Sequence, residues 1–386
     1  MAQAIAFVFL SDEQGPRYLK TVKAWFVVGG IGIFLIGIFS SGCGGATSDS
    51  VTKASLGRDL FFDTSLSNPA GQSCGTCHSA NRSFTDPRAG ITSEGALTGI
   101  FGSRQSNTAM YMAFSPEFKF DTTIQDFIGG QFWDGRAKNL EEQAKAPFLN
   151  PGEMHNASKQ EVVDKVRTGL FAQKFQLIFG NDIFNDTDKA YDAIADAIAT
   201  FERTDVFQPF SSKYDAFLKG KATLSASEGR GLVVFESPTK GNCAKCHPSQ
   251  PGPNGEPPLF TNFKYDNIGI PRNLSNPFYT QPAWQNPDGT GFIDVGLSKT
   301  TGRPQDAGRF KIPTLRNIAM TAPYFHNGVF TTLEDAVLFY DQRDLGGFAV
   351  PEVLQGVNRV DMGSLHLTEQ EKQDLVEFMR TLTDGF

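Results

Sequence analysis

The chain has 386 residues, five cysteines and a formal net charge of −7. That length allows two domains of ordinary size preceded by a short leader. The acidic balance, without any run of five or more like charges, argues against a nucleic-acid surface and leaves basic protein partners open.

The first 48 residues are typical of a targeting segment. Lys20 and Lys23 precede an apolar run over residues 24–39, which is shorter than the ~20 residues of a membrane-spanning helix and typical of a signal-peptide core. The following SSGC, which ends at Cys43, is similar to a bacterial lipoprotein cleavage site, where the cysteine becomes acylated. We expect a periplasmic or cell-envelope protein, with lipid anchoring through Cys43 or an uncleaved anchor as alternatives.

Two clusters of the form Cys-x-x-Cys-His are the most specific motif of the sequence. They begin 169 residues apart and read Cys74-Gly75-Thr76-Cys77-His78 and Cys243-Ala244-Lys245-Cys246-His247. Two thiols at this spacing can form thioethers to a haem while the adjacent imidazole binds the iron. A zinc site and a redox thiol pair are the alternatives, but zinc ribbons separate their pairs by only about 15–20 residues. The sequence therefore predicts two covalent haem c groups.

Each cluster belongs to a larger repeated unit. Gly57 to Leu60 is matched by Gly229 to Leu232 at an offset of 172 residues. Each unit closes with apolar residues at helical spacing, which are Tyr191, Ile194, Ala195, Ile198 and Phe201 in the first unit and Leu375, Phe378, Met379 and Leu382 in the second. We expect a mainly α fold of two c-type cytochrome domains with long connecting loops. The predicted segments are a leader (1–48), an N-terminal haem domain (49–215), a C-terminal haem domain (216–386), a linker near 211–225 and a loop over about 248–308.

Longer motifs make the chain resemble bacterial dihaem cytochrome c peroxidases, and more narrowly the MauG-like branch, across roughly residues 55 to 384. Besides the two clusters they are GRDLFFDTSLS from Gly57, GGQFWDGRAKNLEEQAKAPFLNPGEM from Gly129 and FKIPTLRNIAMTAPYFHNGVFTTLEDAVLFYD from Phe310. The resemblance implies an enzyme with two haem c cofactors that uses hydrogen peroxide at the N-terminal haem.

The second haem is expected to bind Tyr340. Leu333, Ala336, Val337 and Tyr340 recur at helical spacing, behind a capping box predicted from Thr331 and Glu334. The resemblance places Tyr340 where the peroxidases have a methionine ligand and MauG-like proteins a tyrosine. A phenolate favours Fe(III), whereas a thioether favours ferrous iron. The expected iron ligands are His78, His247 and Tyr340, with Met320, Met362 and Met379 as rivals for Tyr340.

The first haem is expected to have an open face opposite His78, because no histidine occurs from Ser79 to Gln131. Met110 and Met112 fall in that segment and could bind the iron, but they are expected in the core. His155 is the leading candidate to close that face, and it is expected near the surface or behind the site. The resemblance implies that Glu153 moves the peroxide proton, that Gln143 is its hydrogen-bonding partner and that Pro147 shapes access.

Between the haems the resemblance implies a coupling aromatic residue, Trp133, and a calcium ion. The calcium ligands would be carbonyls of Thr321 and Pro323 with Gln105 where the family has Asn. His326 is expected to form a structural hydrogen bond.

The resemblance favours a peroxide-dependent oxidase of a protein partner. In the methylamine-pathway enzyme of the family a Trp two positions before the second cluster exports charge; here that position is Gly241, so synthesis of the tryptophan-derived cofactor is not expected. Trp284 is a candidate for a substitute exit, with packing at the surface as the favoured alternative role. The alternatives are a scavenging peroxidase with a small redox-protein donor and a dihaem electron carrier without peroxide chemistry.

Overall fold

A computed structural model describes residues 51–252 and 255–386, and this part of the chain is mainly helical, as predicted. The helices are α1 (Lys53–Phe61), α2 (Cys74–Cys77), α3 (Leu140–Leu149), α4 (Lys159–Thr168), α5 (Ala172–Phe179), α6 (Thr187–Glu202), α7 (Lys213–Leu218), α8 (Ala226–Glu236), α9 (Ser298–Thr301), α10 (Leu333–Gln342) and α11 (Glu369–Arg380). The strands form two antiparallel pairs, β1 (Lys119–Asp121) with β2 (Asp126–Ile128) and β3 (Tyr265–Asp266) with β4 (Phe310–Lys311).

The first core forms where α1 crosses α6. A β-carbon at Gly57 would lie 1.8 Å from the carbonyl oxygen of Ala197, so the two backbones approach at a point where only glycine fits. The buried ring of Phe61 packs edge-on against Phe201 and Phe207. The predicted apolar stripe from Tyr191 to Phe201 lies in α6 and is buried, so that prediction is confirmed.

The second core repeats this arrangement with α8 and α11. A β-carbon at Gly231 would lie 1.9 Å from the carbonyl oxygen of Asp374, and Phe235 packs against Phe378. Gly57 therefore corresponds to Gly231, whereas Gly229, the partner predicted from the sequence, has open space around it. The alignment of the two units predicted from the sequence was therefore shifted by two residues. The point where the helices cross, rather than similarity between the neighbouring residues, sets the register of the repeat.

The predicted linker over residues 211–225 is structured. It contains α7, whose Tyr214 packs against Phe260 and Phe378 of the second core. Asp215 is buried in an ion pair of 2.8 Å with Arg316. The segment therefore packs against the C-terminal half of the chain. The domain boundary between residues 215 and 216 stays a prediction.

The described part of the predicted loop over 248–308 holds only short elements, namely β3, α9 and three 3₁₀ turns. Among residues 51–252 and 255–386, no helix is long and apolar enough to cross a bilayer. The predicted leader and Cys43 lie outside the described residues.

Candidate functional site

The first Cys-x-x-Cys-His cluster is shaped by a single helical turn. Ser73 caps α2 through a capping box with Thr76, so Cys74 and Cys77 lie on one turn. His78 follows directly, and its ring nitrogen Nδ1 lies 2.9 Å from the carbonyl oxygen of Phe84. This hydrogen bond orients the ring and leaves Nε2 as the nitrogen for a metal.

The second cluster repeats this geometry on a 3₁₀ turn over Cys243–Lys245. The backbone N–H of His247 donates to the carbonyl of Cys243, and its Nδ1 lies 2.8 Å from the carbonyl oxygen of Phe260. Burial lowers the pKa of His247 to about 4. The imidazole is therefore neutral at ordinary pH, which is the form that binds a metal.

The chemistry of the thiols fits thioether attachment better than the alternatives. Burial raises the pKa of Cys77 to about 11 and that of Cys243 to about 12, whereas redox-active thiol pairs depend on a lowered thiol pKa. The described cysteines form no disulfide. No group of three or more His, Cys, Asp or Glu side chains within the described ranges is placed to hold a metal ion, so nothing there supports a zinc site.

A cavity of about 960 Å³ opens at the first cluster, at the upper end of the size range of small-molecule and cofactor sites. Cys74, Cys77 and His78 line it. Trp133, Gln143, Pro147 and Glu153 line it too, as do Gln105, Thr321 and Pro323. The residues present therefore fit a haem at this cluster, and the cavity brings together the N-terminal site residues predicted from the sequence.

Gln143 and Pro147 lie on α3, and Glu153 lies in the turn that follows this helix. The side-chain amide of Asn150 donates to Glu153 Oε1 at 2.8 Å. Burial raises the pKa of Glu153 above its ordinary value, and both Arg136 and the Asn150 hydrogen bond lower it. A half-buried carboxyl that lines a cavity and has no salt-bridge partner among the described residues suits proton transfer.

Two of the three predicted rivals for the open face of the first haem lie away from the cavity. Met110 is buried in the first core, and its sulfur accepts a hydrogen bond of 3.3 Å from Asn317. His155 is half-buried, with its ring 6.3 Å from that of Trp284, and it does not line the cavity. Met112 does line the cavity, contrary to the expectation that it packs in the core.

Tyr340 lies near the second cluster. Burial raises the pKa of its phenol, and Cys246 and Cys243 are near enough to raise it further. The ring is flanked by Phe325 and Phe339, and its hydroxyl forms no hydrogen bond to any described residue. A phenol hydroxyl without a hydrogen-bond partner is available to a ferric ion, which would also ionise it.

The methionine rivals of Tyr340 fit less well. Met379 is buried in the second core, and Met320 is 39 % exposed. Met362, half-buried, is the rival that remains. The helix itself begins one residue later than predicted: Thr332 rather than Thr331 caps α10, and it pairs with Asp335 rather than with Glu334.

Trp133 is buried and held in place by a hydrogen bond. It is 8 % exposed, and its indole N–H donates to the carbonyl of Gln105 at 2.9 Å. The next residue, Asp134, is buried in an ion pair of 2.7 Å with Arg104, which also binds Asp294. Arg104 and Asp294 were missed from the sequence, because 190 residues separate them and neither belongs to a recognisable motif.

The three residues predicted to bind calcium converge only in part. Gln105 Nε2 lies 3.5 Å from the carbonyl oxygen of Thr321, so the nitrogen of the amide rather than its oxygen faces that ligand. Arg82 donates to the carbonyl groups on either side, those of Met320 and Ala322. The calcium site stays a prediction.

The ring of His326 does not form the structural hydrogen bond that the sequence predicts for this residue. Its ring stacks on Phe310 at 3.5 Å, and Nε2 is buried without a hydrogen-bond partner among the described groups. Burial lowers its pKa to about 3. The backbone carbonyl, not the ring, forms the structural hydrogen bond, to the N–H of Gln105.

Gly241 leaves no room for the exporting Trp that the methylamine-pathway enzyme has there. A β-carbon would lie 2.5 Å from the carbonyl oxygen of Val234 and 3.3 Å from the sulfur of Cys243. If oxidising equivalents leave this protein through an aromatic residue, that residue is not at position 241.

Glu202 is a buried carboxyl that sequence reasoning missed. It ends α6 and lines the cavity, its Oε2 has no partner among the described residues, and burial raises its pKa to about 8. It lies close enough to raise the pKa of the Cys74 thiol. An acidic residue among the apolar residues of α6 was the available signal.

Comparisons with known proteins give clear matches. The family model described as di-haem cytochrome c peroxidase matches residues 51–223. The chain is 38 % identical to the methylamine utilization protein MauG of Paracoccus denitrificans over 353 residues, 86 % of this chain and 88 % of that protein. It is 32 % identical to cytochrome c551 peroxidase of Nitrosomonas europaea over 341 residues, 87 % of this chain and 81 % of that protein.

Among solved structures, the crystal structure of the diheme peroxidase BthA from Burkholderia thailandensis is similar to this one with a TM-score of 0.75 and 33 % identity. The match covers 86 % of each chain. This likeness confirms the fold of two c-type cytochrome domains with long connecting loops.

Proposed function

Because the chain belongs to the di-haem cytochrome c peroxidase family, it is an oxidoreductase with two haem c groups, and we propose that it is a peroxide-dependent oxidase of a protein partner. Hydrogen peroxide would react at the N-terminal site, and the C-terminal site would keep oxidising equivalents until the partner is oxidised. The observation that carries this proposal is the hydroxyl of Tyr340, which has no hydrogen-bond partner among the described residues and lies near the second cluster.

The haem groups supply the redox chemistry, by accepting two oxidising equivalents from peroxide. His78, Cys74 and Cys77 would hold one group, and His247, Cys243, Cys246 and Tyr340 the other. Glu153 would take the proton from one peroxide oxygen and return it to the other, so that the O–O bond breaks heterolytically. Gln143 and Pro147 would orient peroxide and restrict access, and Trp133 would couple the two sites.

Export to the periplasm and lipid anchoring through Cys43 remain proposals that rest on the leader sequence. Calcium between the two sites is likewise a proposal. It requires the Gln105 amide to turn so that its oxygen faces the Thr321 carbonyl, a rotation that exchanges two groups of similar size.

The resting protein is expected to show two distinct ferric EPR signals. His78 without a sixth protein ligand gives high-spin iron, whereas His247 with Tyr340 gives six-coordinate, low-spin iron. EPR of the oxidised protein at equal haem occupancy measures both. Two low-spin signals of equal intensity contradict the proposal and favour the dihaem electron carrier.

Trp284 is the proposed exit for oxidising equivalents toward the partner. It is 55 % exposed yet lines the cavity, so one side chain joins the interior to the surface. Replacing Trp284 by Phe is expected to slow oxidation of the partner about tenfold, which corresponds to ~1.4 kcal/mol of barrier. Single-turnover oxidation of the protein partner measures this rate.

The matched control for Trp284→Phe is Phe120→Leu, which removes a partly exposed aromatic residue on β1 that does not line the cavity. Its rate is expected to equal that of the wild type. If Trp284→Phe also oxidises the partner at the wild-type rate, charge leaves the protein elsewhere.

A further inference from the structure

Lys311 is a buried lysine that forms no ion pair with any described residue. It ends β4 and is 5 % exposed. Its ammonium donates to Ser115 Oγ at 2.6 Å and to the carbonyl of Gly130, and it lies 5.4 Å from the centre of the Phe263 ring. An ammonium has three N–H donors, so one donor is left without a partner among the described residues.

Other buried cations in the described ranges are neutralised by the protein itself. Arg316 pairs with Asp215, Arg343 with Asp344, and Lys372 with Asp341. Lys311 has no carboxylate within 4 Å in the described part of the chain, and burial alone lowers its pKa to about 7. A buried cation is normally paired, so an anion from outside the polypeptide is the missing partner.

The place of Lys311 indicates which anion this is. Lys311 lines the cavity that also contains Cys74 and His78, and its backbone N–H donates to the carbonyl of Trp133 at 2.8 Å. The cofactor that fits this cavity is a haem, which carries two propionate side chains ending in carboxylates. These are the anions that the cofactor brings into a cavity where the polypeptide leaves one cation unpaired.

We propose that Lys311 binds a haem propionate, through an ion pair between its ammonium and the propionate carboxylate inside the cavity. The propionate could belong to the haem at the first cluster or to that at the second, since Pro313 and Thr314 follow Lys311 along the cavity wall and the carbonyl of Pro313 interacts with His247. The inference requires the haem groups of the family but not the ligation by Tyr340 proposed above.

Replacing Lys311 by Met is expected to lower the reduction potential of the haem whose propionate it binds, because loss of a nearby positive charge favours the ferric state. The propionate-bending band of that haem in the resonance Raman spectrum is expected to shift as well. Spectroelectrochemistry of the haem-loaded protein follows both haems, and the absorption bands that change in a His247→Gly variant identify the second one. The haem whose potential falls is the one that supplies the propionate.

The matched control is Lys299→Met, which removes the same charge from an exposed lysine at the same cavity. It is expected to leave both potentials and the Raman band unchanged. Lys311→Gln keeps polar contacts to Ser115 and Gly130 without the charge, and it replaces Lys311→Met if that variant does not fold. Lys311→Arg keeps the charge and is expected to retain the wild-type potentials.

Two results overturn the inference. One is a neutral variant at Lys311 with unchanged potentials and an unchanged propionate band. The other is a Lys311→Arg variant that loses haem or potential as severely as the neutral variants, because the positive charge would then not be what the site requires.

Discussion

Replacing Tyr340 by Met is expected to raise the reduction potential of the second haem by on the order of a few tenths of a volt, since axial ligands tune haem potentials over about 0.8 V. A neutral thioether stabilises ferrous iron, whereas a phenolate stabilises ferric iron. After one equivalent of peroxide, the variant is expected to lose its oxidising equivalents faster than the wild type. Stopped-flow spectra and a redox titration measure these changes.

The same substitution also separates the proposed function from a scavenging peroxidase. A Met-ligated haem suits electron entry from a small redox protein, so steady-state turnover of Tyr340→Met with reduced cytochrome c is expected to exceed that of the wild type. Tyr324→Phe is the control, because it removes the hydroxyl of a different tyrosine in the C-terminal half. Tyr324 is buried, and its hydroxyl donates to the carbonyl of Ile318. A wild type that already turns over efficiently with reduced cytochrome c, or a Tyr340→Met variant that matches it in every measurement, favours the scavenging enzyme.

Replacing Glu153 by Gln is expected to slow the reaction with peroxide by about 10²–10⁴-fold, the usual contribution of a positioned acid–base group. Gln keeps an oxygen that can accept from Asn150 but cannot carry the proton. The rate of the peroxide-dependent spectral change, measured by stopped flow, tests this. The control is Glu142→Gln, an exposed carboxylate on α3 that does not line the cavity.

The pH dependence of the wild type provides a second test of Glu153. To accept the peroxide proton the carboxyl must be ionised, and burial raises its pKa. The rate is therefore expected to fall as the pH decreases through that raised pKa, at a higher pH than the ordinary glutamate value of ~4.3. This acid limb is expected to vanish in Glu153→Gln, and an unchanged limb in the variant assigns the titration to another group.

Interactions between neighbouring residues could be predicted from the sequence. Each Cys-x-x-Cys-His cluster needs only one turn of backbone to bring two thiols and an imidazole together, so its spacing alone predicts the haem attachment sites. The α6 and α11 stripes are likewise local, since helical periodicity decides which side chains are buried. The cap of α10 was displaced by one residue, because Thr331 and Thr332 are both followed by an acidic residue three positions later.

Contacts between distant segments were decided by the tertiary structure. The crossing of α8 with α11, where Gly231 meets Asp374, sets the register of the repeat. Similarity between the neighbouring residues in the sequence had indicated Gly229 instead. The partners of Arg104 come from residues 134 and 294, and those of Lys311 from residues 115 and 130. In the sequence nothing distinguishes Lys311 from the many other residues with charged side chains. Its burial and its lack of a nearby acidic residue arise only once these segments have folded around the cavity. The sequence by itself therefore predicted where the haem groups attach, and folding determined the charges and polar groups that line the cavity.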